Sequence, residues 1–98
     1  MMNAPGLFPL GHTVITQGVK SLVDDEQSDL TNTDLLALIN RHKTGDDGDV
    51  CTDDHQANVA ALEQGLRVFS VYKLGAITLW IITEADRSST TLLLPEEY

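Results

Sequence analysis

Two apolar segments separated by only three residues constrain the fold more than any other part of the chain. Residues 67–73 and 77–83 are rich in β-branched and aromatic side chains, and Leu74, Gly75 and Ala76 lie between them. Runs of this composition, joined by a short connection that contains glycine, are typical of a β-hairpin. The sequence therefore predicts two neighbouring antiparallel strands in its second half.

A third strand is predicted directly after the hairpin. Residues 85–88 have the composition of a turn, and the run 90–94 that follows is rich in threonine and leucine. Pro95 ends this run, because proline has no N–H to donate to a neighbouring strand. Near the other end of the chain, residues 13–16 are β-branched and indicate a short additional strand.

Two helices are predicted between the N-terminal strand and the hairpin. Thr33 is the candidate N-cap of the first, which ends before Gly45. Thr52 is the candidate N-cap of the second, which ends before Gly65. Residues 18–23 also have a helical spacing of apolar side chains, but the three acidic residues that follow disfavour a long helix there.

Helices that precede a run of adjacent strands are typical of the α+β class. We predict two to three short helices packed on one face of a three-stranded antiparallel β-meander, with a short N-terminal strand as an optional fourth. The chain has 98 residues and a mass of 10.7 kDa, which suffices for one hydrophobic core. We therefore expect a single domain over residues 1–98, of which the proline- and glycine-rich residues 1–11 form a loose arm.

The middle predicted strand, residues 77–83, is apolar at every position except two threonines. A strand of this composition usually has both faces covered, whereas one layer of helices covers only one of them. On the other face we expect either the N-terminal arm, through Leu7, Phe8 and Leu10, or a partner chain. A homodimer is one explanation for the surplus apolar surface of so small a core.

Acidic residues outnumber basic residues by 15 to 6, which gives a formal net charge of -9. This charge repels phosphate backbones and anionic lipids, so we expect direct binding neither to nucleic acid nor to a membrane. No apolar run reaches the roughly 18 residues of a membrane span, and the N-terminus lacks a signal-peptide pattern. The single cysteine, Cys51, cannot form an intramolecular disulfide, and we expect a cytoplasmic protein.

Five aspartates lie within residues 46–54. An EF-hand loop begun at Asp47 has Thr52 in place of the required glycine and Asn58 in place of the bidentate glutamate, so no calcium site is predicted. We interpret the aspartates as turn formers and as favourable charges at a helix N-terminus. Together with two acids of the later turn they are also candidates for contact with a protein partner. The full set is Asp46, Asp47, Asp49, Asp53, Asp54, Glu84 and Asp86.

Cys51 and His55 are four residues apart at the start of the second predicted helix, and His42 lies at the end of the preceding one. A zinc site or a Cys–His nucleophile can be drawn from these residues. Structural zinc sites usually take paired ligands at short spacing, and the surrounding carboxylates disfavour a thiolate. We therefore predict no metal, no cofactor and no catalytic residue here.

Glu84, Asp86 and Arg87 lie between the second and third predicted strands. Two carboxylates and a guanidinium suit acid–base chemistry, but aspartate is also an ordinary turn former. We expect Arg87 to pair with Asp86, with Glu84 or with the acidic loop. On the neighbouring strands, Trp80 and Tyr72 are predicted to be cross-strand neighbours in ordinary sheet packing.

The C-terminal third, from Trp80-Ile-Ile-Thr-Glu-Ala-Asp-Arg87-Ser to Leu-Leu-Leu94-Pro-Glu-Glu-Tyr98, resembles a family of short bacterial proteins of about this length. The resemblance includes Arg41-His42, Gly45-Asp46, Gly48-Asp49 and Gly11-x-Thr13-Val14. Members occur on plasmids and other mobile or accessory elements and are described as plasmid-related, sometimes as a restriction–modification subunit. The family typically has an aromatic residue where this chain has Asp47. The resemblance implies a mobile-element protein and no established activity.

Size, charge and resemblance favour a small non-enzymatic interaction protein that docks on a host protein or on a protein of the same element. A sharper form of this hypothesis is an acidic DNA mimic that inhibits a host defence nuclease or a CRISPR complex. The alternative is a small enzyme or toxin-like protein whose active site comprises His42, Asp46, Asp49 and Arg87. That alternative requires those four side chains to share one cleft.

Overall fold

The computed structural model of the protein describes residues 7–28 and 30–98. One short strand comes first, three helices follow it, and three strands and a 3-10 turn complete the described chain. In chain order they are β1 (His12–Ile15), α1 (Gln17–Asp24), α2 (Asn32–Lys43), α3 (Thr52–Gln64), β2 (Val68–Leu74), β3 (Ile77–Thr83), β4 (Ser89–Leu93) and a final 3-10 turn (Pro95–Glu97).

The strands form one mixed sheet in the order β1-β4-β3-β2. Strands β2, β3 and β4 are the predicted antiparallel meander, and the α+β class is confirmed. The short N-terminal strand also forms, but it pairs parallel to β4, so the sheet has four strands rather than three antiparallel ones. A parallel pair needs a long connection, and here the three helices together with β2 and β3 lie between β1 and β4 in the chain.

The register of the hairpin decides which side chains share a face. Tyr72 lies opposite Leu79, whereas Trp80 lies opposite Val71. The prediction that Trp80 and Tyr72 are cross-strand neighbours is therefore wrong, because an offset of one residue in a strand moves a side chain to the other face. Tyr72 points toward α1 and α2, and Trp80 points to the opposite face of the sheet.

Helices α1 and α2 pack on one face of the sheet, which we call the helix face. Leucines from α2 meet alternate residues of the three antiparallel strands in the main hydrophobic core. The buried members of this core are Val19, Leu30, Leu35, Leu38, Tyr72, Leu79, Ile81 and Leu92. Burial of these side chains supplies most of the favourable free energy of folding.

The ends of the helices differ in part from the predicted ones. Helix α2 has Thr31 rather than Thr33 as its N-cap, because Thr31 and Asp34 form a reciprocal capping box. Helix α3 begins at Thr52 itself, and its N-cap Cys51 makes no side-chain capping hydrogen bond. Gly65 ends α3 in the left-handed conformation, with φ of 69°, as predicted.

The predicted loose arm, residues 1–11, lies partly outside the described residues, which begin at Leu7. Its described part is docked: the Leu7 N–H donates to the carbonyl of Lys43, and Phe8 is only 8% exposed. Phe8 packs against Ala61 and Val68. Because Val68 belongs to the helix face, Phe8 does not cover the opposite face, so the first of the two expected alternatives is wrong for this residue.

Strand β2 lies at one edge of the sheet, and the acidic loop covers that edge. The N–H of Asp49 donates to the carbonyl of Val71, and the N–H of Val71 donates to the carbonyl of Asp47. Next along the strand, the side-chain amide of Asn58 in α3 both accepts from the N–H of Phe69 and donates to its carbonyl. These contacts satisfy backbone groups that an edge strand would otherwise present to a neighbouring chain.

We predict that Gly48→Ala destabilises the protein more than Gly75→Ala. Both glycines have positive φ, 71° and 62°, so both substitutions carry a conformational cost of about 1 kcal/mol. A Cβ on Gly48 would also overlap the carbonyl of Val71, whereas nothing lies near Gly75. Urea unfolding should show a loss of at least about 2 kcal/mol for Gly48→Ala and about 1 kcal/mol for Gly75→Ala. Equal losses would contradict the edge contact.

Candidate functional site

Three aromatic side chains meet on the face of the sheet that points away from α1 and α2, which we call the open face. The rings of Phe69 and Trp80 are 5.0 Å apart, and those of Trp80 and Tyr98 are 5.5 Å apart, both edge to face. They border a groove of about 320 Å³. The residues that line this aromatic groove are Asp54, Ala57, Asn58, Arg67, Phe69, Trp80, Ile82 and Tyr98.

The pairing register of β2 and β3 places Phe69, Trp80 and Ile82 side by side in the groove. Phe69 lies opposite Ile82, and Trp80 follows two positions away on β3, so all three side chains share the open face. Ile82 is buried and forms the floor, whereas Phe69 and Trp80 are half-buried. The groove is thus a preformed part of the sheet and needs no rearrangement to exist.

Tyr98 enters the groove because the chain turns back after β4. The carboxylate of Glu97 accepts hydrogen bonds from the Thr16 hydroxyl and from the N–H groups of Gly18 and Leu94. The Thr16 hydroxyl and these N–H donors lower the pKa of Glu97, because they stabilise its charged form. Anchored in this way, the turn leaves Tyr98 against Trp80 with 67% of its surface exposed.

Charges of both signs lie at the rim of the aromatic groove. Asp54, in the first turn of α3, lines one side. On the other side the guanidinium of Arg67 lies over the ring of Tyr98, 5.6 Å from its centre. A planar cation therefore already stacks on one aromatic ring of the groove, which shows that this aromatic surface suits such a contact.

A second cluster is polar and fully buried on the helix face. His42, at the end of α2, is 1% exposed, and its ring nitrogens lie 2.6 Å from the Ser70 hydroxyl and 2.8 Å from the Thr83 hydroxyl. The Thr83 hydroxyl lies 2.7 Å from that of Thr90, which in turn donates to the carbonyl of Leu10. These hydrogen bonds link five segments of the chain.

The carbonyl of Leu10 fixes the direction of every hydrogen bond in this cluster. A carbonyl can only accept, so Thr90 donates to it and must accept from Thr83. Thr83 then accepts from Nε2–H of His42, which leaves Nδ1 as the acceptor for the Ser70 hydroxyl. The arrangement selects the neutral Nε2–H tautomer of the imidazole.

Burial lowers the pKa of His42 to about 4, because the charged imidazolium loses its hydration. The nearby charge of Asp47 opposes this shift, and that of Arg87 adds to it. His42 is therefore neutral at neutral pH and has both ring nitrogens occupied by hydroxyls. In this state it is a structural hydrogen-bonding residue.

The residues of the alternative active site do not share an open cleft within the part of the chain that is described. The ring of Phe8 lies 5.3 Å from that of His42 and 5.4 Å from the guanidinium carbon of Arg87, so it fills the space beside both. Asp46 forms an ion pair with Arg41 at 2.7 Å. Asp49 is exposed on the edge loop, where its N–H bonds to β2.

Arg87 has a different set of partners from the predicted one. Its guanidinium donates to the carbonyls of Leu66 and Ala61, at the end of α3, and to the carbonyl of Glu84. The prediction that it pairs with the carboxylate of Glu84, with Asp86 or with the acidic loop is wrong. The C-terminal end of a helix carries partial negative charge, so it attracts a cation. Arg87 caps α3 from the β3–β4 turn.

The predicted acidic contact residues lie in two places, five in the acidic loop and the adjoining first turn of α3 and two in the β3–β4 turn. Arg41 holds the pKa of Asp46 below its usual value, and Asp47 contacts His55 and Asn58. Asp53 and Asp54 lie in the first turn of α3. Glu84 and Asp86 lie in the turn before β4, at the end of the sheet opposite the C-terminal 3-10 turn. Glu84 is exposed, and the carboxylate of Asp86 accepts a hydrogen bond from the N–H of Ser88.

Cys51 and His55 do not come together with further ligands in the described structure. Cys51 is an exposed free cysteine, and His55 contacts the carboxylate of Asp47 at 2.7 Å. Within residues 7–28 and 30–98, no group of three or more His, Cys, Asp or Glu side chains is placed to hold a metal ion. The same residues include no helix that is both long enough and apolar enough to cross a membrane.

Comparison of the chain with protein-family models, with curated proteins and with solved structures gives no match. The site must therefore be interpreted from its own geometry. The aromatic groove is open and preformed, whereas the His42 cluster is closed and internally satisfied. Of the two, the aromatic groove is the candidate functional site.

We predict that stability falls by about 2 kcal/mol between about pH 7 and pH 5 because of His42. The folded pKa of about 4 lies below the unfolded value of 6.5, so this contribution is complete above pH 6.5 and is lost as the pH falls toward 4. Urea unfolding across this range measures the loss, and the NMR titration of the His42 ring assigns it. A ring that titrates near 6.5 in the folded protein would contradict the buried neutral imidazole.

We predict that Thr83→Val costs about 1 to 3 kcal/mol, because it leaves the Nε2–H of His42 buried without an acceptor. Valine keeps the shape and the β-propensity of threonine, so the loss reports on the hydroxyl. Thr78→Val on the same strand is the matched control, since Thr78 is only half-buried and lies on the open face. Thr78→Val should change the free energy of unfolding by less than about 0.5 kcal/mol.

Proposed function

We propose that this protein is a non-enzymatic interaction domain that binds a basic, partly apolar segment of another protein in its aromatic groove. The observation that carries the proposal is the open face itself. Phe69, Trp80 and Tyr98 stand there beside a buried floor, and neither α1 nor α2 packs across them. Exposed aromatic surface of this kind is a common feature of protein-binding sites.

The chemistry of the groove favours a cationic side chain in the bound segment. The faces of aromatic rings attract ammonium and guanidinium groups, and Arg67 already makes such a contact with Tyr98. Asp54 adds a carboxylate at the rim, and the whole chain carries a net charge of -9. Arginine or lysine beside a large apolar residue would therefore find complementary surface here.

The same geometry favours the groove over a DNA-like array of carboxylates as the contact surface. Asp46, Asp47 and Asp86 are engaged in local hydrogen bonds, and Asp86 lies in the β3–β4 turn, a different segment from the acidic loop. A mimic of a phosphate backbone needs free charges along one face. We therefore keep inhibition of a defence nuclease or a CRISPR complex as a form of the proposal in which a basic segment of that target enters the groove.

The resemblance to plasmid-related bacterial proteins supports a partner that is a host protein or a product of the same mobile element. The enzyme alternative receives less support. It depends on His42, which is buried and neutral with both nitrogens bonded, and on Arg87, which is bonded to backbone carbonyls. Neither side chain has a free proton-transfer or anion-binding position toward an open cleft among the described residues.

We predict that a synthetic peptide alternating arginine with leucine binds the groove and changes the fluorescence of Trp80. This residue is the only tryptophan of the chain and stands in the groove, so its emission reports directly on occupancy. Affinity should fall as salt rises, because screening weakens attraction between opposite charges. A peptide in which glutamate replaces arginine is the control and should leave the emission unchanged.

Two variants locate the binding surface. Tyr98→Ala removes a ring that is 67% exposed, so the fold should persist while affinity falls about five- to tenfold, or about 1 to 1.4 kcal/mol. Asp54→Asn should weaken binding about two- to fivefold and flatten its salt dependence. Glu26→Gln removes the same charge between α1 and α2, on the other side of the sheet, and should have little effect. Equal losses for both charge variants would contradict binding in the groove.

A further inference from the structure

The two edges of the sheet differ in whether other residues cover their backbone groups. The β2 edge is covered by the acidic loop and by Asn58. At the other edge, β1 pairs with β4 on one side only, and no described residue pairs with its outer side. All four residues of β1 are exposed, although the strand is part of the sheet. With four residues β1 is a short edge strand, which limits the extent of pairing, but His12–Ile15 contains no lysine, acidic residue or proline that would oppose a neighbouring strand.

The hydrogen bonds of β1 show which backbone groups face outward. The N–H of His12 donates to the carbonyl of Ser88, and the N–H of Thr16 donates to the carbonyl of Leu92. Because the groups of alternate residues point to the same side of a strand, His12, Val14 and Thr16 face β4. Thr13 and Ile15 then present their N–H and C=O groups to the outside.

The charge distribution favours a second copy of this chain as the occupant of that edge. None of the 15 acidic residues lies within residues 1–23, which include Lys20. The carboxylate of Glu97 lies just beyond the end of β1, where it accepts hydrogen bonds from the Thr16 hydroxyl and the N–H of Gly18. Two molecules that each carry -9 repel one another least where segments that contribute no acidic side chain meet. Val14 and Ile15 are also 47% and 39% exposed, which gives the contact an apolar component.

We infer that β1 pairs antiparallel with β1 of a second copy about a twofold axis at Val14. In this register Thr13 of each copy exchanges hydrogen bonds with Ile15 of the other, about four in total, and the two Val14 side chains meet. The pairing joins the two sheets into one continuous sheet. It uses neither the aromatic groove nor the His42 cluster, so it is independent of the function proposed above.

A four-residue strand buries too little surface for a tight dimer, so we expect dissociation constants that are roughly micromolar or weaker. The salt dependence has the opposite sign to that of a basic partner. Screening reduces the repulsion between two acidic molecules, so association should strengthen as salt rises. Sedimentation equilibrium over a concentration series should show a shift from 10.7 kDa toward twice that mass.

Thr13→Pro tests the edge directly. Proline removes the outward N–H and is tolerated in edge strands, while the hydrogen bonds of β1 to β4 use other residues. This variant should remain monomeric with an unchanged far-ultraviolet circular dichroism spectrum. Thr13→Val, which keeps the N–H and the β-propensity, is the matched control and should dimerise like the wild type.

Val14→Lys provides a second test that does not depend on proline. It leaves the backbone intact and brings two ammonium groups together at the twofold axis, so dimerisation should fall at least tenfold. In a Cys51→Ser background, Val14→Cys should cross-link on mild oxidation, because directly opposed residues of an antiparallel pair lie within disulfide range. Thr13→Cys, displaced by two positions from its own copy, should cross-link far less.

Two outcomes would overturn the inference. One is a wild-type protein that stays monomeric up to about 1 mM at high salt, which would mean that another segment or no segment covers the β1 edge. The other is dimerisation that persists unchanged in folded Thr13→Pro and Val14→Lys, which would assign the contact to another surface. If the dimer survives in both variants but is lost in Tyr98→Ala, the aromatic groove is that surface.

Discussion

A buried chain of hydrogen bonds through the imidazole of His42 holds the separate segments of this protein in one arrangement. It runs from Ser70 in β2 through His42 to Thr83 and Thr90 in β3 and β4, and ends on the carbonyl of Leu10. An unsatisfied polar group is costly in a core, so every member must keep its partner. The network therefore fixes where α2 and the N-terminal arm lie relative to the sheet.

Once the arm and α2 are held in this way, the two faces and the two edges of the sheet become unequal. Phe8 packs on the helix face beside His42 and Ala61, so the described arm does not reach the aromatic residues of the open face. The acidic loop after α2 is brought to β2, where it covers that edge. Among the described residues this arrangement leaves both the aromatic groove and the outer side of β1 uncovered, and the two surfaces differ in chemistry.

The candidate site was only partly predictable from the sequence. The β-hairpin that supplies Phe69 and Trp80 follows from composition, and the bounds of β3 agree with the predicted 77–83. Which aromatic residues share a face depends on a pairing register between strands, and an error of one residue exchanged Tyr72 for Phe69 as the neighbour of Trp80. Tyr98 joins them only because Glu97 bonds to the start of α1, a contact between opposite ends of the chain.

The sequence by itself determined the α+β class, the meander, the left-handed end of α3 at Gly65 and the acidic character of the protein, because local propensity and charge decide these properties. Only the tertiary structure decided that His42 is buried and neutral, that Arg87 caps α3 instead of pairing with a carboxylate, and that β1 joins the sheet in parallel. Each of these depends on contacts between residues far apart in the chain. Such contacts are selected by burial and by hydrogen-bond satisfaction of the whole fold, which no short segment encodes.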